Sequence, residues 1–321
     1  LGAGLPTSVD CLTINKVCGS GLKAVMLATQ SIRLGDASIV VAGGMESMSN
    51  APYLLDKARF GYRLGHGSVV DSMIKDGLWD VYNDFHMGNA AELCARECHI
   101  SREEQDEFAK LSYERALKAQ KEGYFKEEIV PVVIKTKKGE MVVEQDEEPG
   151  RVNFEKMPTL RPAFEKEGTV TAANASTIND GAAAVLTMSE EVARSLKITP
   201  LARVVAYTTA SKAPEWFTTA PVDAIQKLLH QTELRVDDID LFEINEAFAV
   251  VTMVANKELN IPLEKVNIAG GAVALGHPIG ASGARILTTL LYNLKRTGGK
   301  KGIASLCIGG GEAVAVLVEM I

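Results

Sequence analysis

The sequence lacks any apolar run near the roughly 20 residues that a membrane-spanning helix needs. It also lacks an excess of basic charge, because 34 lysines and arginines stand against 41 aspartates and glutamates, and the formal net charge is -7. Such a balance provides no sequence-wide positive field to hold nucleic acid or an anionic membrane. We therefore expect no nucleic acid and no membrane among the partners.

Cysteine is scarce as well. The chain has five, an odd number without the spacing of a disulfide framework, which is typical of a reducing compartment. Residues 1–6 (LGAGLP) lack the charged start and apolar core of a signal peptide. We expect a cytoplasmic protein. Because the sequence does not begin with methionine, a mitochondrial location stays open.

No Gly-Lys-Ser or Gly-Lys-Thr phosphate loop occurs in the chain. Gly19, Gly21 and Ala24 match the dinucleotide fingerprint loosely, which leaves an NAD-dependent oxidoreductase as one alternative. That pattern is common by chance, and here a cysteine occupies its turn. The alternative is therefore the weaker one.

The sequence does contain a cysteine at a turn of small residues. In residues 15–22 (NKVCGSGL), Cys18 precedes two glycines and a serine, and an apolar series at helical spacing follows. A thiol at a helix N-terminus can have a pKa well below its ordinary value, which makes it a strong nucleophile. A buried core cysteine is the alternative. The flanking glycines favour a thiol that an acyl group can approach.

Strand-like and helix-like segments alternate near both ends of the chain, which predicts an α/β fold. Residues 38–42 (SIVVA) predict a buried strand closed by Gly43 and Gly44. The order of turn, helix, strand and glycines recurs after residue 276, which indicates two related halves. We predict an N-terminal half at 1–47 plus 179–200, an inserted loop subdomain at 48–178 and a C-terminal half at 201–321.

Three further polar residues stand at strand ends or helix starts. Asn245 follows the predicted strand 240–244 (DLFEI) and can cap the next helix, His277 precedes an apolar helix, and Cys307 ends a predicted strand. Taken singly, Asn245 is a plain helix cap and His277 a turn residue that bonds the backbone. If the halves pack together, these groups and Cys18 converge, which is a catalytic pattern.

Four blocks carrying these residues closely resemble the signature blocks of thiolases. They are residues 15–21 (NKVCGSG), 245–249 (NEAFA), 276–283 (GHPIGASG) and 307–311 (CIGGG). The resemblance spans essentially the whole chain. It implies two βαβαβαββ halves in a layered αβαβα arrangement with an inserted loop subdomain. Thiolases begin with two strands and a helix before the point where this sequence starts, so we expect the first half to be incomplete.

The resemblance also implies a role for each residue. Cys18 would take an acetyl group from acetyl-CoA, and Cys307 would remove the α-proton of a second acetyl-CoA. His277 and a water held by Asn245 would stabilise the enolate oxygen. The N–H groups of Cys18 and Gly309 would meet the thioester oxyanion. The product would be acetoacetyl-CoA plus CoA, and no cofactor is required beyond these coenzyme A thioesters as substrates.

The family pattern further implies a coenzyme A tunnel and a short-chain acyl pocket. The candidate lining residues are His86, Met87, Phe164, Ala172, Ser176, Ala247 and Phe248. Residues 86–88 (HMG) resemble the biosynthetic, short-chain branch, in which the methionine narrows the pocket. Arg151 is a candidate phosphate contact on charge alone. Ala172, Ala173, Ala175 and Val273 resemble a carbonyl-rich potassium site of one mitochondrial-type member.

Two alternatives within the family stay open, a degradative 3-ketoacyl-CoA thiolase of broader chain length and an inactive truncated fragment. The biosynthetic resemblance implies a homotetramer, to which residues 60–67 would contribute. Outside the four blocks, Cys94, Cys98 and His99 allow a metal site. Two cysteines at helical spacing are fewer ligands than structural zinc needs, which favours helix packing.

Overall fold

The computed structural model describes all 321 residues, which form eight helices and twelve strands. The helices are α1 (Ser20–Leu34), α2 (Met87–Glu97), α3 (Arg102–Glu122), α4 (Glu190–Ser195), α5 (Ala220–Thr232), α6 (Ala249–Leu259), α7 (Ala272–Leu275) and α8 (Ile279–Thr297). The strands are β1 (Ile39–Ser47), β2 (Tyr53–Leu54), β3 (Val70–Asp71), β4 (Trp79–Asp80), β5 (Phe85–His86), β6 (Val132–Thr136), β7 (Gly139–Val143), β8 (Asp180–Met188), β9 (Ala202–Ser211), β10 (Leu241–Ile244), β11 (Lys301–Ile308) and β12 (Glu312–Met320).

The larger sheet has the order β10-β11-β12-β9. β10 and β11 are parallel, and the other two pairs are antiparallel. β11 and β12 are buried along almost their whole length, which is why their sequences are nearly continuous apolar runs. The turn between them needs Gly310 (φ 96°) and Gly311 (φ 90°), because side chains with a Cβ rarely adopt these angles.

The second sheet contains β1 and β8, paired antiparallel from Ile39 opposite Met188 to Ser47 opposite Asp180. The predicted strand at 38–42 is confirmed as a strand, but it continues through Gly43 and Gly44 instead of ending there. It is also not a buried strand, because only one face of the sheet is covered: Ala42 is buried while Ile39 and Val41 are exposed. A Cβ on Gly44 would lie 1.9 Å from the carbonyl oxygen of Gly280. The glycine therefore permits close packing of α8 on the strand, and it does not terminate the strand.

Helices α1 and α8 pack between the two sheets. Their N-terminal turns cross so closely that a Cβ on Gly283 would lie 2.3 Å from the backbone nitrogen of Leu22. Leu22, Leu290 and Leu306 are fully buried in the apolar layer that these helices form with the sheets. A separate, larger core joins α5 and α6 to the opposite face of the four-stranded sheet. Four layers result, in the order β, α, β, α, and not the five layers in the order α, β, α, β, α that the resemblance implied, because no helix covers the outer face of the two-stranded sheet.

The two halves repeat one arrangement of elements. Helix α1 precedes the antiparallel strands β1 and β8, and helix α8 precedes the antiparallel strands β11 and β12. In the second half three glycines join the strands, whereas in the first half residues 48–179 stand between them. The outer face of β1 and β8 is exposed, with Val41 56%, Met45 79% and Leu186 55% accessible.

The region between β1 and β8 contains α2, α3 and three short antiparallel strand pairs. Helix α3 begins at a capping box, in which Ser101 accepts from the N–H of Glu104 while the Glu104 carboxylate accepts from the N–H of Ser101. Arg115 of α3 donates to the carbonyls of Val266 and Leu263, which fastens this region to the C-terminal half. No helix in the structure is long and apolar enough to cross a membrane.

Candidate active site

Cys18 lies in a single 3-10 turn, Val17–Gly19, immediately before α1. Val17 has φ 47°, which is a strained angle for a β-branched residue. The turn is held on both sides, because the N–H of Val17 donates to Asn15 Oδ1 at 2.9 Å and the Ser20 hydroxyl donates to the carbonyl of Val17 at 2.8 Å. The structure therefore fixes the position of the thiol before any substrate binds.

The electrostatics of Cys18 differ from the sequence prediction. Burial raises the pKa of its thiol to about 11, although backbone N–H groups of Gly309 and of Cys18 itself hydrogen-bond the sulfur and lower it. The carboxylate of Glu46 raises the pKa further. The prediction of a thiol with a lowered pKa at a helix N-terminus was wrong, because loss of water around the half-buried Cys18 raises the pKa of its thiol more than the neighbouring N–H groups lower it. Cys18 carries a proton at neutral pH and needs a base.

The two N–H groups that contact Cys18 are those that the sequence proposed as oxyanion donors. Gly309 begins the turn after β11, and Ile308 just before it packs on the Cys18 turn so tightly that a Cβ on Gly19 would lie 2.4 Å from Ile308 Cδ1. This contact between the halves brings the N–H of Gly309 to the sulfur of Cys18. Fixed donors at a reacting centre stabilise developing negative charge without reorganisation.

Cys307 is fully buried in β11, one residue before the end of the strand. Burial raises its pKa well above the ordinary value for a thiol, and negative charge on Cys18 raises it further. The two thiols are therefore electrostatically coupled. The two sulfurs cannot readily carry negative charge at the same time, and acylation of Cys18 keeps that sulfur neutral while Cys307 ionises.

His277 stands before α8 with its ring in a polar pocket. Nδ1 lies 2.6 Å from the hydroxyl of Ser282 and 3.4 Å from the amide nitrogen of Asn245. Burial, with a smaller effect from the Arg285 charge, lowers the pKa of His277 to about 4, so the imidazole is neutral at physiological pH. Nε2 of His277 and Oδ1 of Asn245 have no hydrogen-bond partner in the protein, so both can bind a reacting group.

The proton positions around His277 follow from the Ser282 hydroxyl, which has one proton to donate. Ser282 donates to the carbonyl of Pro278 at 3.0 Å, as the turn of α8 requires. Its oxygen then accepts the proton of Nδ1, which leaves a lone pair on Nε2. A ring in this tautomer can first take a proton at Nε2 and then act as a donor there.

Asn245 is not the helix cap that the sequence suggested. Helix α6 begins at Ala249, with Phe248 at the cap position, and residues 245–248 form a loop after β10. A backbone bond from Ala247 to Asn245 at 3.0 Å and one from Ala249 to Asn174 at 2.8 Å hold this loop. The amide of Asn245 is consequently free to face His277.

Sequence reasoning missed the groups that support the loop before His277. The buried carboxylate of Glu246 accepts hydrogen bonds from Ser112 at 2.7 Å, from the amide of Asn267 at 2.8 Å and from the N–H of Val273 at 3.1 Å. Asn179 accepts from the N–H of His277 at 3.2 Å. Glu246 and Ser282 stand inside the recognised blocks, but Ser112 on α3 has no local signal at all.

An aromatic row lies beside the thiols. The rings of His86 and Phe164 stack with centroids 4.8 Å apart, and Phe164 meets Phe248 edge-on at 6.1 Å. The buried Met87 opens α2, and a Cβ on Gly309 would lie 3.2 Å from its methyl group. The structure thus places Met87 against the proposed oxyanion donor, where a short acyl chain would end.

Other predicted binding residues stand near this row. Ser176 donates its N–H and its hydroxyl to the carbonyl of Ala247 at 3.1 Å and 2.8 Å, and Ala175 pairs with Phe248. Ala172 is exposed one position after the buried Thr171. Ala173 packs against the apolar cluster that contains Val273, so the segments proposed for potassium are neighbours. The potassium site itself stays a prediction.

Arg151 is not joined to these residues by any contact in the structure. Its guanidinium is exposed and pairs with Glu147 and Glu148 of its own loop, each at 2.6 Å. A phosphate contact would have to compete with both carboxylates. The role of Arg151 in binding stays a prediction that this ion pairing weakens.

Comparison with known proteins places the chain in a family. Residues 1–191 match the model of the thiolase N-terminal domain, and residues 198–320 match that of the thiolase C-terminal domain. Acetyl-CoA acetyltransferase 2 of Arabidopsis thaliana is 54% identical over 100% of this chain and 80% of its own length. Acetyl-CoA acetyltransferase of Cupriavidus necator is 54% identical over 99% of this chain and 81% of its own length.

Solved structures agree with this result. A thiolase from Ascaris suum, determined in complex with coenzyme A, superposes with a TM-score of 0.94 at 45% identity and covers 100% of this chain and 82% of that one. The acetyl-CoA acetyltransferase of Bacillus anthracis superposes with a TM-score of 0.97 at 46% identity and covers 100% of this chain and 81% of that one. The expected thiolase fold is confirmed, and this chain belongs to the thiolase family.

Proposed function

We propose that this chain is an acetyl-CoA C-acetyltransferase, which condenses two acetyl-CoA reversibly to acetoacetyl-CoA and CoA through an acetyl-cysteine. One observation carries the proposal: the Cys18 turn packs on the end of β11, which holds the buried thiol of Cys307, while Nε2 of His277 and Oδ1 of Asn245 have no partner in the protein. A hydrolase needs one activated thiol. A second buried thiol beside the first suits a reaction that moves a separate proton.

The first step is acyl transfer to Cys18. The lone pair of His277 Nε2 takes the thiol proton as the sulfur attacks the carbonyl carbon of acetyl-CoA. The carbonyl oxygen gains negative charge, which the N–H groups of Cys18 and Gly309 stabilise. When the bond from carbon to the coenzyme sulfur breaks, an acetyl thioester remains on Cys18 and CoA leaves with a proton.

The second step forms the carbon–carbon bond. The thiol proton of Cys307 passes to the lone pair of His277 Nε2, and the resulting thiolate removes the α-proton of a second acetyl-CoA. The protonated Nε2 and a water held by Asn245 stabilise the enolate oxygen. The enolate carbon attacks acetyl-Cys18, the bond from the acetyl carbon to the Cys18 sulfur breaks, and acetoacetyl-CoA forms. The Cys18 thiolate takes the proton from His277, while Cys307 keeps the α-proton as its thiol proton.

Chain length is the finer part of the proposal. Met87 is 6% exposed and lies against Gly309, so a substrate with a longer acyl chain would collide with it. The stacked rings of His86 and Phe164 offer an apolar wall for the pantetheine arm. These contacts favour acetoacetyl-CoA over longer 3-ketoacyl-CoA substrates.

The reaction uses side chains and backbone groups of this chain, with coenzyme A thioesters as substrates and no further cofactor. We also propose a cytoplasmic homotetramer. The five cysteines are an odd number without the spacing of a disulfide framework, which is typical of a reducing compartment. Phe60 and Leu64 project fully into solvent from residues 60–67, where a neighbouring subunit would cover them.

Acetylation mapping tests the assignment of the two thiols. With acetyl-CoA alone, we expect one acetyl group, on Cys18, by peptide mass analysis. The variant Cys307→Ala should still acetylate Cys18 but fail to form acetoacetyl-CoA. A label on another residue would refute the role of Cys18, and normal condensation by Cys307→Ala would refute the role of Cys307.

A thiolysis assay tests the substrate. Acetoacetyl-CoA and a longer 3-ketoacyl-CoA are compared by kcat/KM in the same preparation. Preference for acetoacetyl-CoA supports the short-chain proposal. Equal or better use of the longer substrate would instead identify a degradative 3-ketoacyl-CoA thiolase.

A further inference from the structure

Two cysteines that the proposed reaction does not use lie together at the end of α2. Cys94 is buried in the last turn of the helix, and Cys98 occupies its C-cap, partly open to solvent. Their sulfur atoms are 4.0 Å apart. The next residue, His99, has φ 54°, so the helix ends here and no further turn confines the side chain of Cys98.

This geometry is close to that of a disulfide. A disulfide has a sulfur–sulfur distance of about 2.05 Å, and its Cβ atoms lie about 3.5–4.5 Å apart. Residues four positions apart on a helix have Cβ atoms about 5–6 Å apart. The sulfurs therefore need to approach by about 2 Å and the Cβ atoms by about 1 Å, which rotation of the C-cap side chain and opening of the last turn can supply.

The two thiols have different surroundings, which distinguishes their roles. A hydrogen bond from Cys94 lowers the pKa of Cys98 to about 7, and the ammonium of Lys257 also lowers it. The negative charges of Glu258 and Glu97 raise the pKa of Cys98. The ammonium of Lys257 is within 3.1 Å of the carbonyl of Cys98, to which it donates. Cys98 is thus the accessible thiol with the larger thiolate fraction, and Cys94 is its buried partner.

A metal site does not account for the pair. No group of three or more His, Cys, Asp or Glu side chains in the structure is arranged to hold an ion. Structural zinc needs four such ligands, and two sulfurs alone do not complete the set. The alternative of a metal site at Cys94, Cys98 and His99, left open by the sequence, is therefore not supported.

We propose that Cys94 and Cys98 form a peroxide-oxidised dithiol site, in which Cys98 reacts first and Cys94 resolves it. The Cys98 thiolate attacks one oxygen of hydrogen peroxide, the oxygen–oxygen bond breaks, and Cys98 sulfenic acid and hydroxide result. The sulfur of Cys94 then displaces the hydroxyl of the sulfenic acid. This step forms the disulfide and releases one water, with both cysteines oxidised and the peroxide reduced.

The chain allows a direct assay, because trypsin cleaves after Arg96, between the two cysteines. The tryptic peptides are 76–96, which contains Cys94, and 97–102, which contains Cys98. After treatment of the whole protein with hydrogen peroxide near neutral pH, we expect these peptides joined by one disulfide and separated by dithiothreitol. A peptide that trypsin has merely failed to cut has a different mass and does not separate on reduction.

Three variants complete the test. Cys98→Ser should lose the linked pair, and Cys94→Ala should leave a sulfenic acid on Cys98 that dimedone traps. Cys11→Ser, which removes an exposed cysteine elsewhere, should leave the yield of the linked pair unchanged. Both peptides remaining reduced while Cys18 or Cys11 is oxidised would overturn the proposal. So would a disulfide from Cys98 to any residue other than Cys94.

Discussion

The Ser282 hydroxyl is the position at which the proposed mechanism is most open to test. It contacts Nδ1 of His277 at 2.6 Å and the carbonyl of Pro278 at 3.0 Å, and it is completely buried. The variant Ser282→Ala removes both contacts and leaves Nδ1 without this partner. The imidazole then loses the group that sets its tautomer and fixes its ring.

The size of the effect follows from the cost of an unpaired buried polar group, which is about 1–3 kcal/mol. If that cost appears in the transition state of acyl transfer, Cys18 acetylation slows by about 5- to 150-fold, since about 1.4 kcal/mol corresponds to a factor of ten. Ser282 touches no substrate in this scheme. We therefore expect the change in kcat and not in the affinity for CoA.

Thr288→Val provides a matched control on the same helix. The hydroxyl of Thr288 donates to the carbonyl of Ala284 at 2.9 Å, the same four-residue spacing that Ser282 uses, but it contacts no catalytic group. Both variants lose a hydroxyl-to-carbonyl hydrogen bond within α8, and Ser282→Ala should lower the melting temperature more, because it also leaves Nδ1 of His277 without this partner. Only Ser282→Ala should slow the single-turnover acetylation of Cys18, followed by rapid quench and mass analysis.

The reasoning fails if Ser282→Ala acetylates Cys18 at the wild-type rate while the protein remains folded. It also fails if Thr288→Val slows acetylation equally, because the effect would then come from the stability of α8. Slow acetylation of Cys18 in Ser282→Ala, together with a rate near that of the wild type in Ser282→Thr, would add further support. Threonine restores the hydroxyl in the same place.

Three other outcomes are expected. Met87→Ala should raise the ratio of kcat/KM for a longer 3-ketoacyl-CoA to kcat/KM for acetoacetyl-CoA by about tenfold or more, since one methylene in an apolar pocket changes selectivity by that order. An unchanged ratio would show that Met87 does not limit chain length. Burial raises the pKa of Glu243 from 4.5 to about 8, although the nearby Arg285 charge lowers it. The folded state therefore favours the protonated carboxyl. The contribution of Glu243 to stability is complete below pH 4.5 and is lost as the pH rises toward 8. Melting curves of Glu243→Gln at pH 5 and pH 8.5 should therefore show a relative gain over wild type at the higher pH, and a relative loss there would contradict the direction of the shift. Gly44→Ala should lower the free energy of unfolding by about 3 kcal/mol, because the new Cβ would overlap the carbonyl oxygen of Gly280. A wild-type midpoint in denaturant unfolding would show that helix α8 can move away from β1.

Local patterns were enough to identify many of the elements. The helix after Cys18, the capping box at Ser101 and the strands that contain residues 182–188 and 303–307 follow from apolar periodicity, caps and β-branched runs. These signals depend on neighbours within a few residues. They are therefore readable before any tertiary contact is known.

Predictions failed where a distant segment determined the outcome. Gly43 and Gly44 resemble a strand terminus, but the strand continues through them. The backbones of β8 and α8 approach these positions so closely that a Cβ would not fit. Asn245 resembles a helix cap, but the helix begins three residues later, where the N–H of Ala249 donates to the carbonyl of Asn174. In both cases the deciding atom belongs to a residue far away in sequence.

The sequence by itself determined the family, the identity of the thiols, imidazole and amide, and the order in which the blocks occur. Only the tertiary structure decided their protonation states, because a pKa depends on burial and on charges from every element packed around the group. Cys18 is a protonated thiol and His277 a neutral ring for that reason. Two contacts likewise form only when α1, α8 and β11 pack together. They join Gly309 to the Cys18 sulfur and Ser282 to His277.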